Sequence, residues 1–325
     1  MFSISGPHLA AVAGLLAGQP QVPLIPQKDL LARRDFKLPD GPASERLRQM
    51  EQIFTIGLLC SVQQQDPSAI DATEYGIAPE DTCVFYEGAA MGLTILDLLT
   101  PWKKDRWQTL LEGNGAPHKF VMHVGMGMGI ARLNQRIGNR LQKLDPLLRW
   151  LVIDGYGFHH GYCNSKQFVR KQARAGGRVR CSFSSRVFDQ GLGRAIWFVE
   201  AGCPQNIAKA IKKFSSNRQP DLWIGIGVAA SHAGADPTTL KELKSISGKY
   251  FEYLAQGTAF GAAVRHDTGV VPAHTSDACM ELLNSTPELA HSLVLVQSHQ
   301  LAISARDQHY DRWQRHIREG VTTSA

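Results

Sequence analysis

No common nucleophile or cofactor signature stands in this chain of 325 residues. There is no G-x-S-x-G elbow, no Walker phosphate loop and no H-E-x-x-H helix. An aspartate-rich pair of the kind that holds diphosphate and magnesium is missing too. The expectation is chemistry without a bound cofactor. Six cysteines (Cys60, Cys83, Cys163, Cys181, Cys203, Cys279) are scattered without C-x-x-C spacing. That argues for buried thiols in a reducing compartment and against a disulfide frame or zinc knuckle. No Lys or Arg precedes the apolar run at 9–18, so it lacks the front of a secretory signal, and it is too short to span a bilayer. It reads as a first helix, and the protein as cytoplasmic, with no integral membrane segment.

Charge of one sign is also scarce. The net charge of +6 is a mild basic excess, and basic residues interleave too thinly with aromatics to make a nucleic-acid platform. Much of the excess sits in the stretch 166–186, with Lys166, Arg170, Lys171, Arg174, Arg178, Arg180 and Arg186 and no acidic residue. This is either a solvated face or a docking patch for an acidic partner such as a carrier protein. With 43% hydrophobic and 20% charged residues, the chain can bury a sizeable core.

Glycine is what the sequence has in a pattern. Gly225-Ile226-Gly227-Val228-Ala229-Ala230 fits the loose G-x-G-x-x-A form of a dinucleotide turn. Similar segments recur, however, with lead glycines at Gly57, Gly88, Gly125, Gly155, Gly191, Gly225 and Gly257. Their spacings are 31, 37, 30, 36, 34 and 32 residues, close to the period of a tetratricopeptide-like helical hairpin. Seven copies cannot all be nucleotide loops. Small residues recur four positions after most lead glycines, on the same helix face, where they let a neighbouring backbone approach. Segments opening at Pro204, Pro237 and Pro287 read as partner helices, with Asp236 a candidate N-cap. Convincing strands are lacking; 148–154 is the nearest, and it reads equally as the start of a buried helix. The expected fold is all-α: about seven tetratricopeptide-like hairpins of about 34 residues, forming a superhelix or partly closed ring. Residues 1–50 read as an irregular lead-in with one short helix, 51–300 as the repeat domain, and 301–325 as a C-terminal helix and tail.

The residue before each lead glycine alternates in character. Ile56, Val124 and Ile224 are apolar; Glu87, Asp154, Gln190 and Gln256 are not. A buried carboxylate or amide needs a partner. Either these four cap neighbouring helices or bond Arg132, Arg194 and Arg265, or they line a central groove. The densest polar cluster places Asp154, Tyr156, His159, His160, Tyr162 and Cys163 within ten residues. His159 and Cys163 share one helix face, Asp154 and Phe158 another, and His159 and His160 point about 100° apart. As a metal motif it lacks a second ligand pair. As an acid/base cluster it has an imidazole, a carboxylate and phenols; the alternative is a set of histidines satisfied within tight packing.

The D-G-Y-G-F-H block at 154–159 and the D-Q-G-L-G-R block at 189–194 carry a resemblance. With the segments at Gly88, Gly125, Gly225 and Gly257, the chain from about Arg34 to Cys279 resembles a family of uncharacterised bacterial proteins. Its members are encoded beside enediyne polyketide synthases and in other natural-product gene clusters. The resemblance implies a role in assembling or maturing a specialised metabolite, and carries no catalytic assignment. Around 160 and 163 relatives usually have an acidic residue and an aromatic, where this chain has His160 and Cys163, which leaves Asp154 and His159 as the stronger candidates.

Two expectations follow. In one, the protein is a biosynthetic enzyme acting by acid/base chemistry on a hydrophobic, polyene or carrier-derived chain in a helical cavity. Asp154, His159 and Tyr156 would then be catalytic, with Glu87, Asp189, Gln190, Arg194, His232, Gln256 and Tyr162 around the substrate. His232 enters because it stands seven residues after its lead glycine, on the face that Tyr162 holds in its own repeat. In the other, the protein is a non-catalytic scaffold that docks a synthase, a carrier domain or a tailoring enzyme.

Overall fold

A computed structural model describes residues 36, 39–64, 66–102, 105–176, 182–301 and 308–323. Among these there is no strand, and thirteen α-helices follow one another. They are α1 (Pro42–Gln64), α2 (Thr82–Leu99), α3 (Arg106–Glu112), α4 (Lys119–Arg132) and α5 (Arg149–Cys163). Then come α6 (Ser182–Val199), α7 (Pro204–Ile211), α8 (Gln219–His232) and α9 (Pro237–Ser247). The series ends with α10 (Phe251–Asp267), α11 (Ala273–Leu283), α12 (Pro287–Leu301) and α13 (Gln308–Thr323). Helix α1 opens at Pro42, a favoured residue for a first turn, so 42–50 is helical where an irregular lead-in was expected. The apolar run at 9–18 lies outside the described residues.

The seven lead glycines all fall inside helices: α1, α2, α4, α5, α6, α8 and α10, each packed against the next. The reason is space. A Cβ on Gly225 would lie 2.0 Å from the carbonyl oxygen of Gln190, the residue just before the lead glycine of the preceding helix. A Cβ on Gly227 would lie 2.0 Å from the carbonyl oxygen of Leu254, on the following helix. Gly155 and Gly157 repeat this against Val124 and Phe188. So in each G-x-G the first glycine admits the helix behind and the second admits the helix ahead. The apparent dinucleotide motif is a two-sided backbone contact.

Contacts advance together along both partners. Gly157 meets Phe188 and, one turn on, Gly161 meets Leu192 and Ala195. Neighbouring glycine helices therefore run in the same direction, and shorter segments carry the chain back between them. Helix α9 is such a return, with Asp236 accepting from the Thr238 and Thr239 N–H groups as its N-cap. Other returns are not α-helical: Gly138–Lys143 is a 3-10 helix and Lys166–Arg170 a π turn. The segment 148–154 belongs to α5.

The succession curves back on itself. Arg46 Nε donates to the Ala233 carbonyl over 3.3 Å, joining α1 to the end of α8. Phe120 and Phe260 meet edge to face at 5.8 Å, and Lys119 pairs with Asp267 at 2.9 Å, joining α4 to α10. Helix α13 lies against α10 and α12. Trp313 anchors it, fully buried, with Nε1 donating to the Val294 carbonyl over 2.8 Å. Among the described residues one helical stretch, Pro79–Leu99, is long and apolar enough to cross a membrane; it is mostly buried within the fold.

Gly225→Ala separates packing from propensity. Helix propensity alone would raise stability by up to about 1 kcal/mol. The clash with the Gln190 carbonyl predicts a loss of about 1–3 kcal/mol instead, read by urea denaturation.

Candidate functional site

Five of the glycine helices, α4, α5, α6, α8 and α10, aim one face inward. Residues one before and three after a lead glycine are four apart, so they stack on the same side. Val124, Asp154, Gln190, Ile224 and Gln256, all directly before lead glycines, line one central cavity. Arg194, Val228 and Phe260, three after, line it as well. Phe120, Val121, Leu151, His232 and Val264 of the same helices complete that side, and Tyr310, Gln314 and Ile317 of α13 close it. With α13 in place the free volume is about 40 Å³. That is room for a few waters at most, and a drug-sized ligand needs several hundred cubic ångströms.

Arg194 is the centre of charge. Its guanidinium donates to Asp154 Oδ1 over 2.5 Å and to Glu87 Oε1 over 3.2 Å, linking α6 to α5 and to α2. It also lies 4.9 Å from the centroid of the Phe158 ring. Both carboxylates are buried. Burial pushes both carboxyls above their ordinary range, and Arg194 pulls them back. Glu87 is raised further by the charge on Asp154. Two carboxyls around one cation, out of water, are poised to hold or release a proton.

Beside this triad the amides are tied to α13. Gln190 donates to Gln314 Oε1 over 3.0 Å and accepts from Gln314 Nε2 over 2.7 Å. It donates also to Asp221, which burial raises and Arg186 lowers. Gln256 accepts from Arg318 over 2.9 Å. Asp221, Gln314 and Arg318 were not among the residues expected at the site. The sequence signal for α13 was its apolar spacing, with Tyr310, Trp313, Ile317 and Val321 on one face.

The expected catalytic group does not converge. Asp154 faces the cavity; Tyr156, two residues on, is buried on the other side of α5, its hydroxyl 3.4 Å from the Gln135 carbonyl. Helix rotation sends the two side chains about 200° apart. His159 is buried beside Cys163, with Sγ 3.8 Å from Nδ1, and does not line the cavity. His160 packs among Tyr156, Phe168 and Phe188. Among the expected substrate contacts, Gln190, Arg194, His232 and Gln256 line the cavity and Glu87 reaches it through Arg194. Asp189 does not: it is locked to Arg218 by contacts of 2.8 and 2.5 Å. Tyr162 stacks on Phe158 away from the lining.

The basic stretch is partly neutralised from within. Arg170 pairs with Glu200, and Arg186 with Asp221 and Asp311. Lys166, Lys171 and Arg174 are exposed, and Arg178 and Arg180 lie outside the described residues. Among the described residues no three His, Cys, Asp or Glu side chains gather to hold a metal.

The chain belongs to the family described as "Protein of unknown function (DUF1702)", which matches residues 23–321. Neither a curated protein nor a solved structure matches it.

Removing the cation exposes the electrostatics. The folded state binds protons at Glu87 and Asp154 more tightly than the unfolded chain does. That stability is complete below the ordinary carboxyl pKa and is lost as pH rises through the raised values. Arg194→Met leaves two buried carboxyls uncompensated and is expected to lose about 3–5 kcal/mol near pH 7. The deficit should narrow as pH falls and both carboxyls take up protons; denaturation series across pH read it out. A deficit independent of pH would contradict this assignment.

Proposed function

We propose that the protein is a biosynthetic enzyme of specialised metabolism that acts on a hydrophobic chain by acid/base chemistry at the Glu87–Arg194–Asp154 triad. The observation that carries the reading is the triad itself: two raised carboxyls around one guanidinium, with Asp154 and Arg194 on the wall of a cavity lined by Phe120, Phe260, Tyr310 and aliphatic side chains beside Gln190, His232, Gln256 and Gln314. An acid in an apolar wall can donate a proton to a polyene, and its conjugate base can recover one. Nearby aromatic faces favour positive charge as it develops. Arg194 orients Asp154 and keeps the pair from being doubly protonated. Tyr156 and His159 have no part in this version, because they leave the cavity wall.

The association with enediyne-type and other natural-product gene clusters belongs to this proposal, as does the polyene or carrier-derived nature of the chain. So does a repeat architecture of tetratricopeptide-like hairpins wound as a partly closed ring. It is supported by the glycine period and by the parallel inner helices, while the 3-10 and π returns make the hairpins irregular.

A second reading has its own observation. Helix α13 leaves only about 40 Å³ free, which suits a non-catalytic scaffold whose interior is simply filled. Asp154→Asn decides between them. In a producing strain the enzyme reading expects loss of the metabolite with soluble protein and unchanged circular dichroism. Undiminished metabolite from a folded Asp154→Asn variant overturns that reading and leaves the scaffold.

A further inference from the structure

We propose that Cys83 and His232 form a second reactive centre at the end of the cavity, which accepts an acyl group from a thioester. Cys83 Sγ lies 3.6 Å from His232 Nε2, within reach of a thiol–imidazole hydrogen bond. The His232 ring lines the same cavity as Asp154 and Arg194. Cys83 itself stands five residues before Gly88, the place that Phe120 holds before Gly125, and Phe120 is a cavity wall. One turn further along α2, Glu87 reaches Arg194. Base and charged triad therefore share one interior, and the nucleophile lies directly behind the base.

A third group makes the pair more than a buried thiol. Arg265 is almost fully buried, and its Nη1 lies 2.7 Å from Cys83 Sγ. Its other hydrogen bonds go to the Glu80 and His232 carbonyls. Of these bonded partners only the sulfur can take on negative charge. Cys83 also occupies the first turn of α2, where the helix dipole favours a thiolate. Burial keeps the thiol protonated and the imidazole neutral in the closed cavity. Those are the states in which Nε2 has a lone pair to take the thiol proton as sulfur attacks.

The step is redox-neutral. Cys83 Sγ bonds to the thioester carbonyl carbon while its proton passes to His232 Nε2. Arg265 stabilises the negative charge as it builds. The carbon–sulfur bond to the donor breaks, and the proton moves from Nε2 to the departing thiolate, which leaves as a free thiol. The acyl chain then lies along the apolar wall toward Val264 and Phe260.

The other thiols supply the control. Cys163 is exposed, so an unselective reagent reaches it first. The full-length protein is incubated with octanoyl-N-acetylcysteamine, and the adduct is read by intact mass and peptide mapping. One octanoyl group on Cys83, removable by hydroxylamine, is expected in the wild type and in Cys163→Ser. None should appear on that peptide in Cys83→Ala, and His232→Gln should slow acylation by about 100-fold or more. An unlabelled wild type, or label confined to Cys163 or Cys203, overturns the proposal even if a variant fails to fold. So does an unchanged rate in a folded His232→Gln protein. The readout is a bond to sulfur, so it stands or falls apart from the acid/base role of Asp154.

Discussion

Where one helix of this protein meets the next, a glycine Cα rests almost on the carbonyl oxygen of the neighbour, and everything further in follows from that contact. A methyl group at Gly155, Gly191 or Gly225 would sit about 2 Å from backbone that cannot move aside. The contact sets the register as well as the distance, because the carbonyl approached belongs to the residue just before the previous lead glycine. At Val124, Asp154, Gln190, Ile224 and Gln256 that residue's side chain is thereby turned inward. Seven helices that individually lose stability to glycine are offset by close backbone packing between them.

Fixed register explains how charge can sit in the interior. Glu87, Asp154 and Arg194 come from three helices and from sites 107 and 40 residues apart, yet they meet. Breaking such a buried group is expensive, whereas an apolar replacement for the whole of it is often neutral. A triad of this kind is poor value as structural glue. On the proposed reading its presence at the cavity wall, with carboxyls held above their ordinary range, serves proton chemistry.

The helical class and the role of the glycines were legible in the sequence, because period and small-residue spacing are local signals. The inward face was half legible: the exceptions Glu87, Asp154, Gln190 and Gln256 stood out as polar residues at a packing position, and Arg194 was named among their possible partners. Asp154 shares its helix face with neither Tyr156 nor His159, for a reason a helical wheel already contains. Residues two and five apart on a helix face different neighbours, however close they stand in the chain. Asp189 was drawn in by its block and is tied up by Arg218, some 29 residues on, which spacing alone does not reveal. Least legible was α13. Its apolar stripe says that it packs, and nothing local says that Gln314 will bond Gln190 across 124 residues.

On the proposed reading a chain-like ligand belongs in the interior faced by Arg194, in the space now shared with Tyr310, Gln314 and Ile317. A crystal structure of the protein grown with a long-chain polyene acid tests it most directly. The account predicts density along Phe260 and Val228 with one part of the chain against the Asp154–Arg194 pair, and α13 displaced from Gln190. Density only on the outer surface, with the Gln190–Gln314 bonds intact, would contradict it.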